Sequence, residues 1–333
     1  MSTGPLLLLA AADVRALLDP PTCIAAVERA FRLLGEGRVQ PPAVCGVHVE
    51  GGVFHIKAAA AEGEAGKRWF AAKVNANFPS NPQQRGFPTV QGAVLLMDAE
   101  SGEPRALLDS AAVTALRTAA ATSVAARWLA RPDSATATLV GCGVQGRAHL
   151  AFLAAVLPQL RRVRLHDVSE PARRDAIAEA WALGLEAEPV ADLAAACRTS
   201  DVCVTCTPSR RPLLHAHDVA PGAFVAGVGA DNEEKQELAP ALLDRATVVV
   251  DVLTQCERMG DLHHALVDGV LRRENVHAEL GEVIAGKKAG RRSADEVIVF
   301  DSTGLALQDV AAAIVVYERA VAAGRGTAFA LAR

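Results

Sequence analysis

The stretch that most limits what this chain can become is Thr138-Leu139-Val140-Gly141-Cys142-Gly143-Val144-Gln145-Gly146-Arg147-Ala148-His149-Leu150. An apolar run of β-formers, Ala135 to Val140, gives way to three glycines spaced G-x-G-x-x-G and then to helix-compatible residues. Strand, tight turn and helix in that order are the parts of a dinucleotide site. Gly141 permits the turn, and Gly143 leaves room for backbone to approach a pyrophosphate. Gly146 lets the helix lie close to the strand, its N–H groups facing the anion.

The glycine pattern alone is common, and the chain downstream of it is more restrictive. A second strand-like run, Arg162-Val163-Arg164-Leu165-His166, ends in Asp167, 24 residues after Gly143. That is where the fold places the carboxylate that accepts from the adenosine ribose hydroxyls. A carboxylate there repels a 2′-phosphate, so NAD is favoured over NADP. The plain alternative, a glycine-rich turn and an unrelated surface aspartate, does not account for strand, glycines, helix and acid falling in sequence.

With 333 residues, 51% of them hydrophobic, the chain can fill a sizeable core and form two domains. Its formal net charge is −4, and its basic pairs (Arg161-Arg162, Arg173-Arg174, Arg210-Arg211, Arg291-Arg292) are short and scattered, which argues against a nucleic-acid partner. The run Leu6 to Leu9 is too short to span a bilayer and no basic segment precedes it, so neither a membrane helix nor a secretory signal is expected, and the protein reads as cytoplasmic. Seven cysteines without framework spacing imply reduced thiols. Cys203-x-x-Cys206 lies in a run that reads as a buried strand, His263-His264 has no further ligand at suitable spacing, and no metal is expected.

In chain order, residues 5–18 read as a short strand and a polar turn, and Pro20-Pro21 opens a helix that Gly35 and Gly37 stop. Strands are expected over 44–59 and 69–75, separated by the loop Glu62 to Arg68. A long polar loop then runs from Asn75 to Gly92, where Asn-Pro and Gly-x-Pro steps hold the backbone out of helix. A hairpin over 93–98 and 106–109 leads to an alanine-rich helix over 110–131 that Pro132 ends. From Thr136 onward, strands at 136–140, 162–167, 186–190, 201–206, 222–228, 247–251 and 297–301 alternate with helical stretches, which predicts a mostly parallel sheet with helices on both faces. A last amphipathic helix comes after the Ser-Thr-Gly turn at 302–304 and would return to the first domain. The expected fold is α/β, a Rossmann dinucleotide domain (119–308) inserted in an α+β substrate and dimerisation domain (1–118 plus 309–333).

Charged residues in apolar segments are candidates for chemistry, because an unpaired buried charge is costly. Lys73 follows Trp69-Phe70-Ala71-Ala72 in a strand, although a lysine whose stem packs and whose ammonium reaches water would look the same. Arg117, within Leu116-Arg117-Thr118-Ala119-Ala120, would clamp a carboxylate with two parallel hydrogen bonds and suits an amino-acid or 2-oxo-acid substrate. Asp231 stands past Val225-Ala226-Gly227-Val228-Gly229 at the carboxyl end of a strand, where open α/β sheets place ligands. It would act as a general base or hold an ammonium, or else serve only as a turn acid.

Several segments together resemble the ornithine cyclodeaminase / mu-crystallin family, from about Pro20 to Ala323. They are Lys73-Val74-Asn75 with Phe78-Pro79-x-x-Pro82, Pro88-Thr89-Val90-Gln91-Gly92, Leu116-Arg117-Thr118-Ala119-Ala120, Gly141-Cys142-Gly143-x-Gln145, Gly229-Ala230-Asp231 with Lys235-Gln236-Glu237-Leu238, Gly281-Glu282-Val283-Ile284-Ala285-Gly286, and Asp301-Ser302-Thr303-Gly304-Leu305-Ala306-x-Gln308-Asp309. The last two look like the alanine dehydrogenase branch. The resemblance implies a homodimer whose substrate domains join strands across a two-fold axis. It implies that Lys73 and Arg117 hold the substrate carboxylate or carbonyl and that Asp231 acts at the amine. Thr89, Gln145, Asp167, Thr207, Val228 and Ser302 would line the nicotinamide nucleotide, with Gly141, Gly143, Val144 and Gly146 at its pyrophosphate.

Two departures bear on substrate. A basic residue that many members carry after a Gln-Pro step is Ala43 here, and the strand before the Met-Pro step of true cyclodeaminases reads Phe54-His55-Ile56-Lys57-Ala58. His55 takes the place of their glutamate and Lys57 that of the methionine, so Lys57 would supply the cation that Ala43 cannot. The expectation is an NAD(H)-dependent oxidoreductase at the α-carbon of a small amino or imino acid. The alternatives are a cyclodeaminase that releases ammonia and recycles NAD, and a non-catalytic NAD(P)H-dependent binder of the mu-crystallin type.

Overall fold

A computed structural model describes residues 5–39, 42–63 and 66–331; the Gln40-Pro41 step, positions 64 and 65 of the expected loop, and the first four and last two residues lie outside the described residues. The chain divides into two compact units, one of residues 1–30, 37–117 and 305–333, the other of 31–36 and 118–304.

The first unit begins with β1 (Leu6–Leu9), α1 (Ala11–Leu17) and α2 (Pro20–Gly35). The segment read as a polar turn is the helix α1: Asp13 reaches back to accept the Ala10 N–H at 3.1 Å, and Val14 and Leu17 bury one face. The turn of α2 is opened by Asp19, which accepts from the Thr22 N–H at 3.0 Å. The single strand expected over 44–59 is a hairpin, β2 (Ala43–Val49) and β3 (Gly52–Glu62), turned at Glu50-Gly51, where Gly51 adopts φ 78°. The β-forming residues on both arms outweighed the short Glu50-Gly51-Gly52 signal for that turn. β4 (Arg68–Asn77) and β5 (Val90–Asp98) extend into the expected loop, which also holds α3 (Asn81–Arg85), started by Pro82 and ended by Gly86. β6 (Pro104–Asp109) and α4 (Ser110–Leu129) come next, and the chain passes to the second unit within α4, between Arg117 and Thr118.

The second unit runs β7 (Thr136–Val140), α5 (Val144–Val156), β8 (Arg162–His166), α6 (Glu170–Ala182), β9 (Glu186–Pro189), α7 (Leu193–Cys197), β10 (Val202–Thr205), β11 (Arg210–Leu214), β12 (Phe224–Gly227) and β13 (Gln236–Leu238). It continues with α8 (Pro240–Arg245), β14 (Thr247–Val250), α9 (Leu253–Cys256), α10 (Asp261–Val267), β15 (Ala278–Glu279), α11 (Leu280–Ile284) and β16 (Ile298–Asp301). α12 (Ala306–Ala323) and β17 (Thr327–Phe329) belong to the first unit.

In the first unit the sheet order is β17-β1-β6-β5-β4-β3-β2, antiparallel apart from the β1/β6 pair. α12 lies on β3, β4 and β5, with Tyr317 edge-on to the buried Trp69 at 5.3 Å between ring centroids. In the second unit a parallel sheet runs β15-β14-β16-β12-β10-β7-β8-β9. All seven strands expected there are present, and β10, β12 and β16 are buried throughout, as strands covered on both faces must be. A small parallel pair, β11 with β13, was not anticipated, because Arg-Arg-Pro-Leu-Leu and Gln-Glu-Leu carry no alternation. From β7 the chain steps outward to β8 and β9, then returns to β10 on the other side, so the strand order reverses at β7, where this kind of sheet takes a ligand.

Candidate active site

In the first unit three elements place ionised groups in one buried seam. Lys73 of β4 is 3% exposed, Arg117 of α4 is 5% exposed and Asp309 of α12 is 2% exposed. The Lys73 ammonium stands 2.9 Å from one Asp309 carboxylate oxygen and 2.8 Å from the other, and donates to Thr114 Oγ1 at 3.3 Å. Arg117 donates through Nε to Asp309 Oδ1 at 2.9 Å and through Nη1 to Gln308 Oε1 at 2.7 Å. Arg117 and Thr114 share a face of α4 because they lie three residues apart. The seam therefore holds two cations against one carboxylate.

Burial is the main force on Lys73 and lowers its pKa to about 7, with the neighbouring Arg117 and Lys57 charges acting in the same direction and Asp309 opposing them. Burial alone would raise the Asp309 carboxyl, but Lys73 and Arg117 outweigh it and hold it below the ordinary carboxylate range. Lys57 sits directly across from Lys73 in the β3/β4 register, and His55 across from Asn75. Buried polar atoms of this unit without a hydrogen-bond partner include Asn75 Oδ1, Ser110 Oγ and Gln308 Nε2. Thr89 lies just before β5, and its carbonyl accepts from the Phe78 N–H at 2.9 Å.

In the second unit the glycine turn is built as the spacing implies. Gly141 adopts φ 97°, and a Cβ on Gly146 would lie 1.9 Å from the Gly141 carbonyl oxygen, so the start of α5 can approach the turn only as glycine. A Cβ on Gly143 would meet nothing within 4 Å. The backbone of the turn is thus open to a ligand, at a helix N-terminus that has no side-chain cap. Val144 is exposed beside it, and Gln145 Oε1 is buried without a partner. Asp167 closes the far side of the turn by accepting from the Cys142 N–H at 2.6 Å and the Ser169 N–H at 2.7 Å. A dinucleotide pyrophosphate fits this cradle.

Beyond β7 the loops at the strand ends are held by buried acids. Glu237 accepts from Thr207 N and Oγ1, from Thr205 Oγ1 and from Gly229 N. Asp261 accepts from the Glu237 and Leu238 N–H groups at 2.7 and 2.8 Å, and Asp301 from the Leu262 N–H at 2.8 Å. Asp251 accepts from the Thr303 and Gly304 N–H groups at 2.9 and 2.7 Å. Val228 and Ser302, next to these contacts, are buried, and the Ser302 N–H donates to the Gly227 carbonyl at 2.9 Å. Asp231 is half exposed and pairs with the Lys235 ammonium at 2.7 Å.

Of the residues singled out from sequence, the structure brings Lys73 and Arg117 together through Asp309, and sets Thr207 beside the Gly229 loop through Glu237. Asp309, Glu237 and Asp261 were missed as side chains with roles. Asp309 carried a signal, since it is an acid in a mostly apolar segment, the same test that selected Lys73, whereas Glu237 and Asp261 stand among polar residues that gave none. Cys203 and Cys206 do not form a pair: Cys203 sits in the core with Cys197, while Cys206 lies against the carbonyls of Val140 and Gly141. Among the described residues no group of three or more His, Cys, Asp or Glu is arranged to hold a metal ion, and no helix is long and apolar enough to cross a membrane.

Fold and site together define an α/β chain whose second unit is a dinucleotide-binding one and whose first unit carries a buried cation pair. The chain belongs to the ornithine cyclodeaminase/mu-crystallin family, whose profile matches residues 6–324. It is 40% identical over 322 residues to an alanine dehydrogenase of Archaeoglobus fulgidus, covering 96% of this chain and 97% of the relative. Among solved structures, an archaeal alanine dehydrogenase dimer with bound NAD superposes with a TM-score of 0.93 at 38% identity, over 98% of this chain and 99% of that one. The Δ1-pyrroline-2-carboxylate reductase of Thermococcus litoralis, in complex with NADH and L-proline, gives 0.89 at 30% identity, over 97% and 99% of the two chains.

Proposed function

We propose that the protein is an NAD(H)-dependent oxidoreductase acting at the α-carbon of a small amino or imino acid. The observation that carries this is the seam of Lys73, Arg117 and Asp309. Two buried cations sharing one carboxylate leave an excess positive charge away from water, which a substrate carboxylate would neutralise. Relatives of this chain that bind NAD or NADH and act on such molecules support the same reading.

Arg117 is oriented by Gln308 and Asp309 and holds the substrate carboxylate with its remaining N–H donors. Lys73, with a pKa near 7, is suited to give and take a proton at the oxygen of the water or carbonyl that exchanges with the imine. Asp231 takes the proton that leaves the amine. Gly141, Gly143, Val144, Gln145 and Gly146 would hold the pyrophosphate, Asp167 the adenosine ribose, and Thr207, Val228 and Ser302 the nicotinamide side. When bound, NAD supplies the acceptor or donor of the α-carbon hydride. Lys57 and His55 replace the residues that the cyclodeaminases carry in this strand, which favours net redox chemistry over cyclisation.

The homodimer belongs to the same proposal: β2 is an edge strand, and Val47 and Val49 expose apolar side chains on one of its faces that a second copy would cover. Light scattering on the purified chain tests it, and a monomer at micromolar concentration would sink it. For the reaction, the protein is incubated with NAD and a panel of amino acids while reduced-cofactor absorbance and ammonia are followed. Equal amounts of both are expected from a primary amino acid, and reduced cofactor without ammonia from a cyclic secondary one. Ammonia and proline from ornithine without net reduced cofactor would establish the cyclodeaminase instead, and turnover of no amino or imino acid would favour a binder.

A further inference from the structure

Glu237 has no place in the chemistry above, yet it is fully buried and accepts four hydrogen bonds, each of 2.8 Å or less. Its side chain is 0% exposed, and its two carboxylate oxygens take four donors from two stretches of chain, 205–207 and Gly229. Oε1 accepts from the Thr207 N–H at 2.6 Å and the Thr207 hydroxyl at 2.7 Å, while Oε2 accepts from the Thr205 hydroxyl at 2.8 Å and the Gly229 N–H at 2.7 Å. Thr205 ends β10, Thr207 opens the loop after it, and Gly229 lies in the loop after β12, two residues before Asp231. These loops also touch directly, since a Cβ on Gly229 would lie 2.2 Å from the Thr207 carbonyl oxygen. The clasp is anchored in turn, because the Glu237 N–H donates to Asp261 at 2.7 Å.

The strand order says which part of the ligand this clasp serves. A dinucleotide straddles the reversal at β7: Asp167 at the end of β8 marks the adenosine side, so β10 and β12, on the opposite side of β7, flank the nicotinamide side. We infer that Glu237 is a positioning residue for the nicotinamide half of the cofactor site, pinning the Thr207 and Gly229–Asp231 loops in one arrangement without touching the ligand. The site demands a carboxylate. Each oxygen faces two donors, so an amide –NH2 in either place meets two N–H or O–H groups and frees at least one loop.

The inference rests on the NAD reading above, and the test separates the two. Binding of NADH is followed by its fluorescence, and binding of ADP-ribose, which lacks the nicotinamide, by calorimetry. With Glu237→Gln, NADH affinity is expected to fall roughly tenfold or more, as for loss of buried charged hydrogen bonds, while ADP-ribose stays within a factor of about three. Thr205→Val removes a single donor from a buried hydroxyl remote from the ligand and should give a smaller loss of the same selectivity; Thr205→Ser restores the hydroxyl and the affinity. Should Glu237→Gln fail to fold, the Thr205 pair decides. An equal loss for both ligands would mean general damage to the unit, and no loss for either would mean the loops need no clasp; each overturns the inference. A wild-type chain that binds neither ligand would overturn the NAD reading itself, and the inference with it.

Discussion

Two regions of this molecule bury ionisable groups, and they satisfy them by opposite means. In the seam of the first unit, charge answers charge: Asp309 accepts from Lys73 and Arg117 directly. At the strand ends of the second unit, Glu237, Asp261, Asp301 and Asp251 are all fully buried and are met chiefly by backbone N–H groups and hydroxyls. The difference reflects the work each does. Backbone donors are fixed in number and direction, so acids held by them make rigid loops. Side-chain cations have donors to spare, so a carboxylate that holds them still leaves them able to bind another anion.

Removing the charge from Asp309 should do the most damage. Asp309→Asn keeps the shape and one acceptor but leaves Arg117 without a counter-charge and drives Lys73 to its neutral form, which together cost about 3–5 kcal/mol. Urea titration should show it as a lower midpoint with an unchanged slope. A loss below about 1 kcal/mol would mean that water already reaches Lys73 and Arg117 and that the seam is not a charge-balanced core.

The acid ladder should respond to pH instead. Burial pushes the Asp261 carboxyl up to about 7 from an ordinary value of 3.8, with the nearby Glu237 charge adding to the effect and two backbone N–H bonds opposing it. Asp301, which accepts from the Asp261 N–H, is raised as well, again by burial first. At pH below about 4 the folded and unfolded chains both hold the Asp261 proton, and it costs nothing. Between about 4 and 7 the unfolded chain releases that proton while the folded chain keeps it, so stability falls through this window and levels off above it. Asp261→Asn preserves an acceptor for the Glu237 and Leu238 N–H groups and cannot ionise. Relative to wild type it should gain on the order of 1–3 kcal/mol between about pH 5 and pH 8, read from unfolding midpoints at the two values. Parallel pH profiles would show that Asp261 is not the group that holds the proton.

The two regions were unequally legible in the sequence. The nucleotide unit declared itself because its constraints are local: the glycine turn, the β7 to β8 spacing and the period of apolar strands each lie within a short stretch of chain. Asp167, which accepts from the Cys142 N–H of the glycine turn, was singled out that way. The seam depends on contacts between Lys73, Arg117 and Asp309, which lie far apart in the sequence, so each cation could be suspected but its partner could not be named. Glu237 was hidden for a different reason. Its strand β13 is three residues long and pairs with an equally unpromising partner, so no periodicity marked it as buried. Helix α1 was lost to its polar residues, although Asp13, a capping acid three positions into the segment, was the available signal.

A milder substitution tunes the seam and leaves it intact. Lys57 faces Lys73 across the β3/β4 register and adds to the lowering of its pKa. In Lys57→Met that repulsion is gone while a side chain of similar length remains, so the Lys73 pKa should rise from about 7. The size is on the order of one unit, for a like charge about 10 Å away at an effective dielectric of about 20. If the protonation of Lys73 sets a limb of the kcat/KM profile, that limb moves to higher pH by this amount. KM for the substrate should rise too, since one cation near the carboxylate site is lost, and the rise should shrink with added salt. An unmoved limb with a raised KM would assign Lys57 to substrate binding alone. A limb moved to lower pH would contradict the sign of the interaction and show that Lys57 reaches Lys73 through Asp309 rather than directly.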